Sequence, residues 1–142
     1  MVSAEEVARR SAETMWSTDT AVKSLGIELR SVGPGRAELA MVVRPDMVNG
    51  HDIAHGGLIA TLADSAFAYA CNSYGEVTVA AGFEVEFLET GRLGDELVAT
   101  AVERARRGRS GIYDVTVRRG DAVVAEFRGR SRSLGRPISR DE

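Results

Sequence analysis

The chain has 142 residues, 44% of them hydrophobic, 27% charged and 6% aromatic, with a net charge of −3. That length and apolar content suit a single domain over 1–142 that buries a core without disulfides or a structural metal. A single cysteine, Cys71, excludes an internal disulfide, and the absence of any run of 18 uninterrupted apolar residues or a signal-peptide core leads us to expect a cytoplasmic protein with no membrane partner.

Charge is unevenly spread. Residues 1–100 carry 7 basic and 15 acidic side chains, whereas residues 101–140 carry 11 arginines and 4 acids. The arginine-rich part reads either as a solvated sheet face or as a site for ligand phosphates. Nucleic acid is not expected as a partner, because the net charge is acidic and no aromatic pattern accompanies the arginines.

In chain order, residues 3–16 set Val7, Ala8, Ala12, Met15 and Trp16 at helical spacing, with Ser3 and Glu6 placed as a capping box, and predict an N-terminal helix. Residues 25–32 and 36–44 read as two strands of a hairpin joined at Gly33-Pro34-Gly35, the second alternating Ala37, Leu39, Met41 and Val43 on one face. A loop over 45–54 leads to the most apolar stretch, a predicted helix over 57–74 stopped by Gly75. Four strands follow over 77–89, 96–106, 111–118 and 122–133, separated by turn residues, and a frayed tail is expected over 137–142. A helix apolar nearly all round must be covered on most sides. The expected class is α+β, a six-stranded antiparallel sheet wrapped around a long central helix with a short helix before it.

Asp64 interrupts that apolar helix. Desolvation among Leu, Ile, Ala and Phe raises a carboxyl pKa, and groups so perturbed cluster at functional sites. The alternative is an Asp on a polar stripe with Thr61 and Ser65, facing solvent. Eight residues earlier, Gly56-Gly57 open the helix with free N–H groups and nothing larger than hydrogen in a ligand's way, an arrangement suited to an oxyanion. Glycines that merely permit a tight turn are the competing account. Asn49 could orient water or a carbonyl, and His55 could hydrogen-bond either. His51, Asp52 and His55 invite a metal reading, but they lie in a loop and no third His or Cys cluster exists, so no metal is expected. Cys71 reads as a small buried filler. Eight helical residues rise about 12 Å, too far for Gly56 and Asp64 of one chain to meet one atom. Two such helices antiparallel about a two-fold axis would join them, which predicts a homodimer with shared active sites.

At these residues the chain resembles the hotdog-fold thioesterases, and most closely the phenylacetic acid degradation thioesterase (PaaI) family. The resemblance is carried by Asn49, by His55-Gly56-Gly57, by Leu62-Ala63-Asp64-Ser65-Ala66-Phe67-Ala68 and by Ala70-Cys71-Asn72-Ser73-Tyr74-Gly75. Later stretches extend it: Glu86-Phe87-Leu88, Gly111-Ile112-Tyr113-Asp114-Val115 and Phe127-Arg128-Gly129-Arg130-Ser131, for a coverage of about 10–136. It implies hydrolysis of aryl-acyl-CoA, such as phenylacetyl-CoA or hydroxyphenylacetyl-CoA, to the free acid and CoA. Asp64 would be general base or nucleophile, the Gly56 N–H the oxyanion donor, and Asn49 the residue that positions water. It also implies a homotetramer of paired dimers and no cofactor, coenzyme A being part of the substrate. For substrate binding the reading nominates Gly57 at the helix opening, Phe83 beside the pocket, and Arg106, Arg107 and Arg109 for the CoA phosphates. The chain departs from the family pattern at Val79-Ala80-Ala81-Gly82-Phe83 and at 51–54, which leaves a medium-chain acyl group as an alternative.

Two other classes fit a hotdog fold. A hydratase or dehydratase pairs its carboxylate with a histidine, yet Ala68 and Tyr69 occupy the fourth and fifth positions after Asp64. A non-catalytic acyl-CoA-binding protein would need no buried acid.

Overall fold

The structure, a computed structural model, describes residues 1–138. Ser3 caps the first helix, α1 (Ala4–Thr18), its Oγ accepting the Glu6 N–H at 3.1 Å. The reciprocal half of the capping box is missing, because the Glu6 carboxylate pairs instead with Arg9 and Arg10. A short helix that the sequence reading did not anticipate, α2 (Thr20–Ser24), follows at once, capped by Asp19 through the Val22 N–H. It delays the first strand by three residues. Leu25 to Ile27 close α2, with Gly26 at φ +68°, and β1 spans Glu28–Gly33.

The hairpin forms as predicted, β2 (Arg36–Val42) pairing antiparallel with β1. Ala37, Leu39, Met41 and Val43 are all buried, as their alternation requires. A 3₁₀ turn (Pro45–Met47) and a loop lead to α3 (Gly56–Cys71), followed by β3 (Glu76–Phe87), β4 (Glu96–Arg107), β5 (Ser110–Arg119) and β6 (Ala122–Pro137). The strands form one antiparallel sheet in the order β1-β2-β4-β5-β6-β3. It wraps α3, whose Leu62, Ala63, Ala66, Phe67, Tyr69 and Ala70 are buried against it. The expected architecture is observed.

Two boundaries differ for identifiable reasons. α3 ends at Cys71 rather than 74 because the Asn72 side chain takes over the backbone bonds: its Nδ2 donates to the Ala68 and Thr78 carbonyls at 2.8 and 2.9 Å, and its Oδ1 accepts the Thr78 N–H at 2.8 Å. Gly75, at φ +88°, then turns the chain into β3. β6 runs to Pro137, and the Ile138 N–H donates to the Gly75 carbonyl at 2.9 Å, so these two residues of the expected tail are ordered. Its remainder, 139–142, lies outside the described residues. Among the described residues, no helix is long and apolar enough to cross a membrane.

β3 is a sheet edge, bulged between Ala80 and Gly82, with Val79, Phe83 and Phe87 exposed along it. As an edge strand it carries a row of backbone N–H and C=O groups without a strand partner on that side.

Candidate active site

The sheet leaves one stripe of α3 open. Gly57 is exposed, and Thr61, Asp64 and Ala68 are half-buried, at the spacing of one helical face. The Thr61 and Ser65 hydroxyls do not serve Asp64, since they donate to the Gly57 and Thr61 carbonyls at 2.8 and 2.7 Å. Burial alone pushes the Asp64 carboxyl above its ordinary value, with no donor or cation holding it down. Cys71 lies on the same helix. Burial, with the Asp64 charge adding to it, pushes its thiol up to about 12, which leaves no thiolate at neutral pH.

At the start of α3, His55 occupies the N-cap position without a side-chain cap bond, and its carbonyl accepts from Leu58 and Ile59. The Gly56 and Gly57 N–H groups find no acceptor among the described residues, so they point outward at the positive end of the helix dipole. The two glycines are not equivalent. A Cβ on Gly56 would come within 3.0 Å of the Phe87 ring, whereas one on Gly57 would meet nothing within 4 Å. Gly56 is held under an aromatic ring and Gly57 faces open space.

Asn49 organises the loop before the helix. Its Oδ1 accepts the His51 and Ile53 N–H groups at 2.9 and 3.2 Å, an Asx turn that holds Asp52 at φ +58°. Only its Nδ2 remains to meet a ligand. Asn49 and His55 are exposed at the same end of the molecule as Gly56, two helical turns from Asp64.

β3 runs antiparallel to α3, with Phe87 against Gly56 at one end and Thr78 bonded to Asn72 at the other. Its middle therefore lies alongside Asp64. There Phe83, 45% exposed, stacks on Phe127 with centroids 4.8 Å apart, and Phe127 packs on Phe67 of α3. Phe83 and Phe87 are thus the apolar flank of the open stripe. The sequence nominates Phe83 as a site residue but not Phe87, whose signals are its place in Glu86-Phe87-Leu88 and the alternation through Phe83, Val85 and Phe87.

The three nominated arginines do not form one cluster. Arg106 stacks over the Tyr74 ring at 3.4 Å and lies 3.6 Å from Glu103, which also accepts the Tyr74 and Tyr113 hydroxyls. Arg106 and Arg109 line a cleft of about 250 Å³ with Cys71 and Tyr113. Arg107, the next residue along β4 from Arg106, lines a different cleft with Arg130 and Arg132, because neighbours on a strand point to opposite faces. Among the described residues, no three His, Cys, Asp or Glu side chains converge as a metal site would require.

An antiparallel sheet wrapped around one long helix, with a carboxylate on the helix's open stripe and free N–H groups at its start, is the arrangement of the hotdog thioesterases. The thioesterase superfamily profile matches residues 51–126, and the chain belongs to that superfamily as a thioester hydrolase. It is 42% identical over 131 residues to the acyl-coenzyme A thioesterase PaaI of Escherichia coli (strain K12), covering 92% of this chain and 94% of that protein. The solved structure of E. coli PaaI, from the phenylacetic acid degradation operon, superposes with a TM-score of 0.92 at 40% identity, covering 95% of this chain and 99% of that one. The smu.793 protein of Streptococcus mutans UA159, solved with acetyl CoA bound, superposes with a TM-score of 0.74 at 25% identity over 78% of this chain and 90% of that one.

Proposed function

We propose that the protein hydrolyses aryl-acyl thioesters of coenzyme A, such as phenylacetyl-CoA or hydroxyphenylacetyl-CoA, to the free acid and CoA. The observation that carries this reading is the half-buried Asp64 carboxylate, without a partner, on the one open stripe of a helix whose first N–H groups are also free. The PaaI resemblance and the aromatic flank of Phe83 and Phe87 support the aryl preference.

The site is shared between subunits. The start of α3 reaches the partner's Asp64 if two helices pack antiparallel about an axis near Ala60, midway between Gly56 and Asp64, and the small residues Gly57, Ala60, Thr61 and Ala68 permit that approach. Pairing of the β3 edges would join the two sheets and cover Val79 and Phe83. Two such dimers make the tetramer.

In this site the Gly56 N–H donates to the thioester carbonyl oxygen and strengthens its bond as negative charge develops there. The Asn49 Nδ2 holds a water, with His55 beside it. Asp64 takes a proton from the water as its oxygen attacks the carbonyl carbon, and returns the proton to the thiolate of CoA as the C–S bond breaks. Attack by the Asp64 carboxylate itself, followed by hydrolysis of the mixed anhydride, uses the same residues. Single turnover in ¹⁸O-labelled water separates the two courses. Neither needs a cofactor, since CoA enters as part of the substrate, and a reducing cytoplasm suits a chain with one unpaired cysteine.

The test is release of free thiol from phenylacetyl-, hydroxyphenylacetyl-, benzoyl-, hexanoyl- and acetyl-CoA by wild type and Asp64→Asn. Aryl-selective turnover that falls by about 10² to 10⁴ in the variant is expected. Full activity of Asp64→Asn would remove its catalytic role, and absence of thiol release by wild type would leave an acyl-CoA hydratase or binding protein.

A further inference from the structure

The arginines divide between two clefts on opposite faces of the sheet. Their roles toward substrate rest on the acyl-CoA reading above. The cleft lined by Arg106 and Arg109 is poorly suited to phosphate. Glu76 also lines it, Arg106 is engaged by Tyr74 and Glu103, and Tyr74 and Cys71 bring it to the C-terminal end of α3, where the helix dipole is negative.

The other cleft, about 470 Å³, is on the outer face of the sheet. Arg107, Arg130 and Arg132 surround a floor of Ala81, Ala105, Gly111 and Ile112, with Ser110 and Ser131 at the side. Arg130 lies across the bulge at Gly82, where a Cβ would come within 2.9 Å of its guanidinium, and bonds Glu84 at 2.7 Å. Arg107 and Arg132 have no carboxylate partner among the described residues. Uncompensated guanidiniums bind phosphate oxygens in a bidentate manner, and a floor of small apolar side chains accepts a flat base.

The geometry points to this outer cleft as the subsite for the 3′-phosphorylated adenosine diphosphate end of coenzyme A, with Arg107 and Arg132 as its phosphate ligands. Ser110 and Ser131 border both clefts, so the two lie back to back at one end of the sheet. The inner cleft begins at Cys71, two helical turns beyond Asp64, and gives the pantetheine arm a course toward that end.

The decisive comparison sets phenylacetyl-CoA against the phenylacetyl thioester of N-acetylcysteamine, which keeps the reacting group and lacks the nucleotide. In the Arg107→Glu/Arg132→Glu variant, KM for the CoA thioester should rise by about tenfold or more with kcat retained, and KM for the short thioester should not move. Arg118→Glu, an exposed charge at the opposite end of β5 and outside both clefts, should leave the ratio of the two KM values near that of wild type. A second readout needs no turnover: 3′,5′-ADP should bind wild type and lose affinity in the double variant. Unchanged KM for phenylacetyl-CoA, an equal rise for both thioesters, or retained 3′,5′-ADP binding would each overturn the subsite. Failure of wild type to cleave either thioester, with 3′,5′-ADP still bound through Arg107 and Arg132, would overturn the hydrolase reading and leave the subsite standing.

Discussion

Half-burying the Asp64 carboxylate without a donor penalises its ionised form in the folded state. The sign of the linkage follows. The folded pKa lies above the ordinary 3.8, so protonation favours the fold, and that contribution is full below 3.8 and lost as pH rises through the folded value. Asp64→Asn should therefore melt higher than wild type at pH 7, with the gain shrinking as pH falls toward 3.8. Scanning calorimetry across pH checks this, and a lower Tm for the variant at pH 7 would contradict it. The acid limb of the kcat/KM profile should likewise lie above the range of an exposed Asp. The two glycines make a sharper contrast. Gly57→Ala meets no atom of its own chain within 4 Å, stays as small as Ala60 on the same stripe and is a better helix former, so it should stabilise the folded chain by about 0.5–1 kcal/mol, whereas Gly56→Ala must push Phe87 aside and should lower turnover. Phe87→Ala removes the ring over Gly56. It should lower kcat/KM for phenylacetyl-CoA by about tenfold while acetyl-CoA changes little, as steady-state kinetics on both substrates would reveal.

α3 and β3 carry Gly56, Gly57, Asp64, Phe83 and Phe87, and the seat of α3 on the sheet depends on a close contact. Gly129 on β6 lies so near Phe67 that an added Cβ would sit 2.8 Å from the ring. Gly129→Ala should destabilise by about 1–3 kcal/mol in denaturant titration, since Phe67 is buried and cannot retreat. The sequence shows both helix start and apolar periodicity, yet α3 stops three residues early because Asn72 finds Thr78, six positions on. α2 escaped the sequence reading for the same kind of reason: five residues are too few for periodicity, and the Tyr69 hydroxyl, fifty positions away, helps hold its cap at Asp19.

For the whole molecule, the β3 edge and the α3 stripe both present surface that a second copy would cover. Val79→Lys places a charge on that edge and should shift the sedimentation coefficient toward monomer, with loss of turnover and retention of fold. Wild-type sedimentation as monomer at assay concentration, with full activity, would contradict the shared site. Mixing Asp64→Asn chains with Gly56→Ala chains should restore part of the activity in verified mixed dimers.

What the sequence determined by itself was whatever depends on neighbours along the chain: the apolar helix with its one carboxylate, the glycine pair at its start, the alternating strand faces and the hairpin turn. The six antiparallel strands around α3 follow from that pattern, because an apolar helix must be covered. Only the tertiary structure decided which groups meet. It set Phe87 on Gly56, consumed the Asn49 oxygen in its own loop, and separated Arg107 from Arg106 and Arg109. Those outcomes rest on strand register and side-chain contact across the sheet, which residue order constrains only through the whole fold.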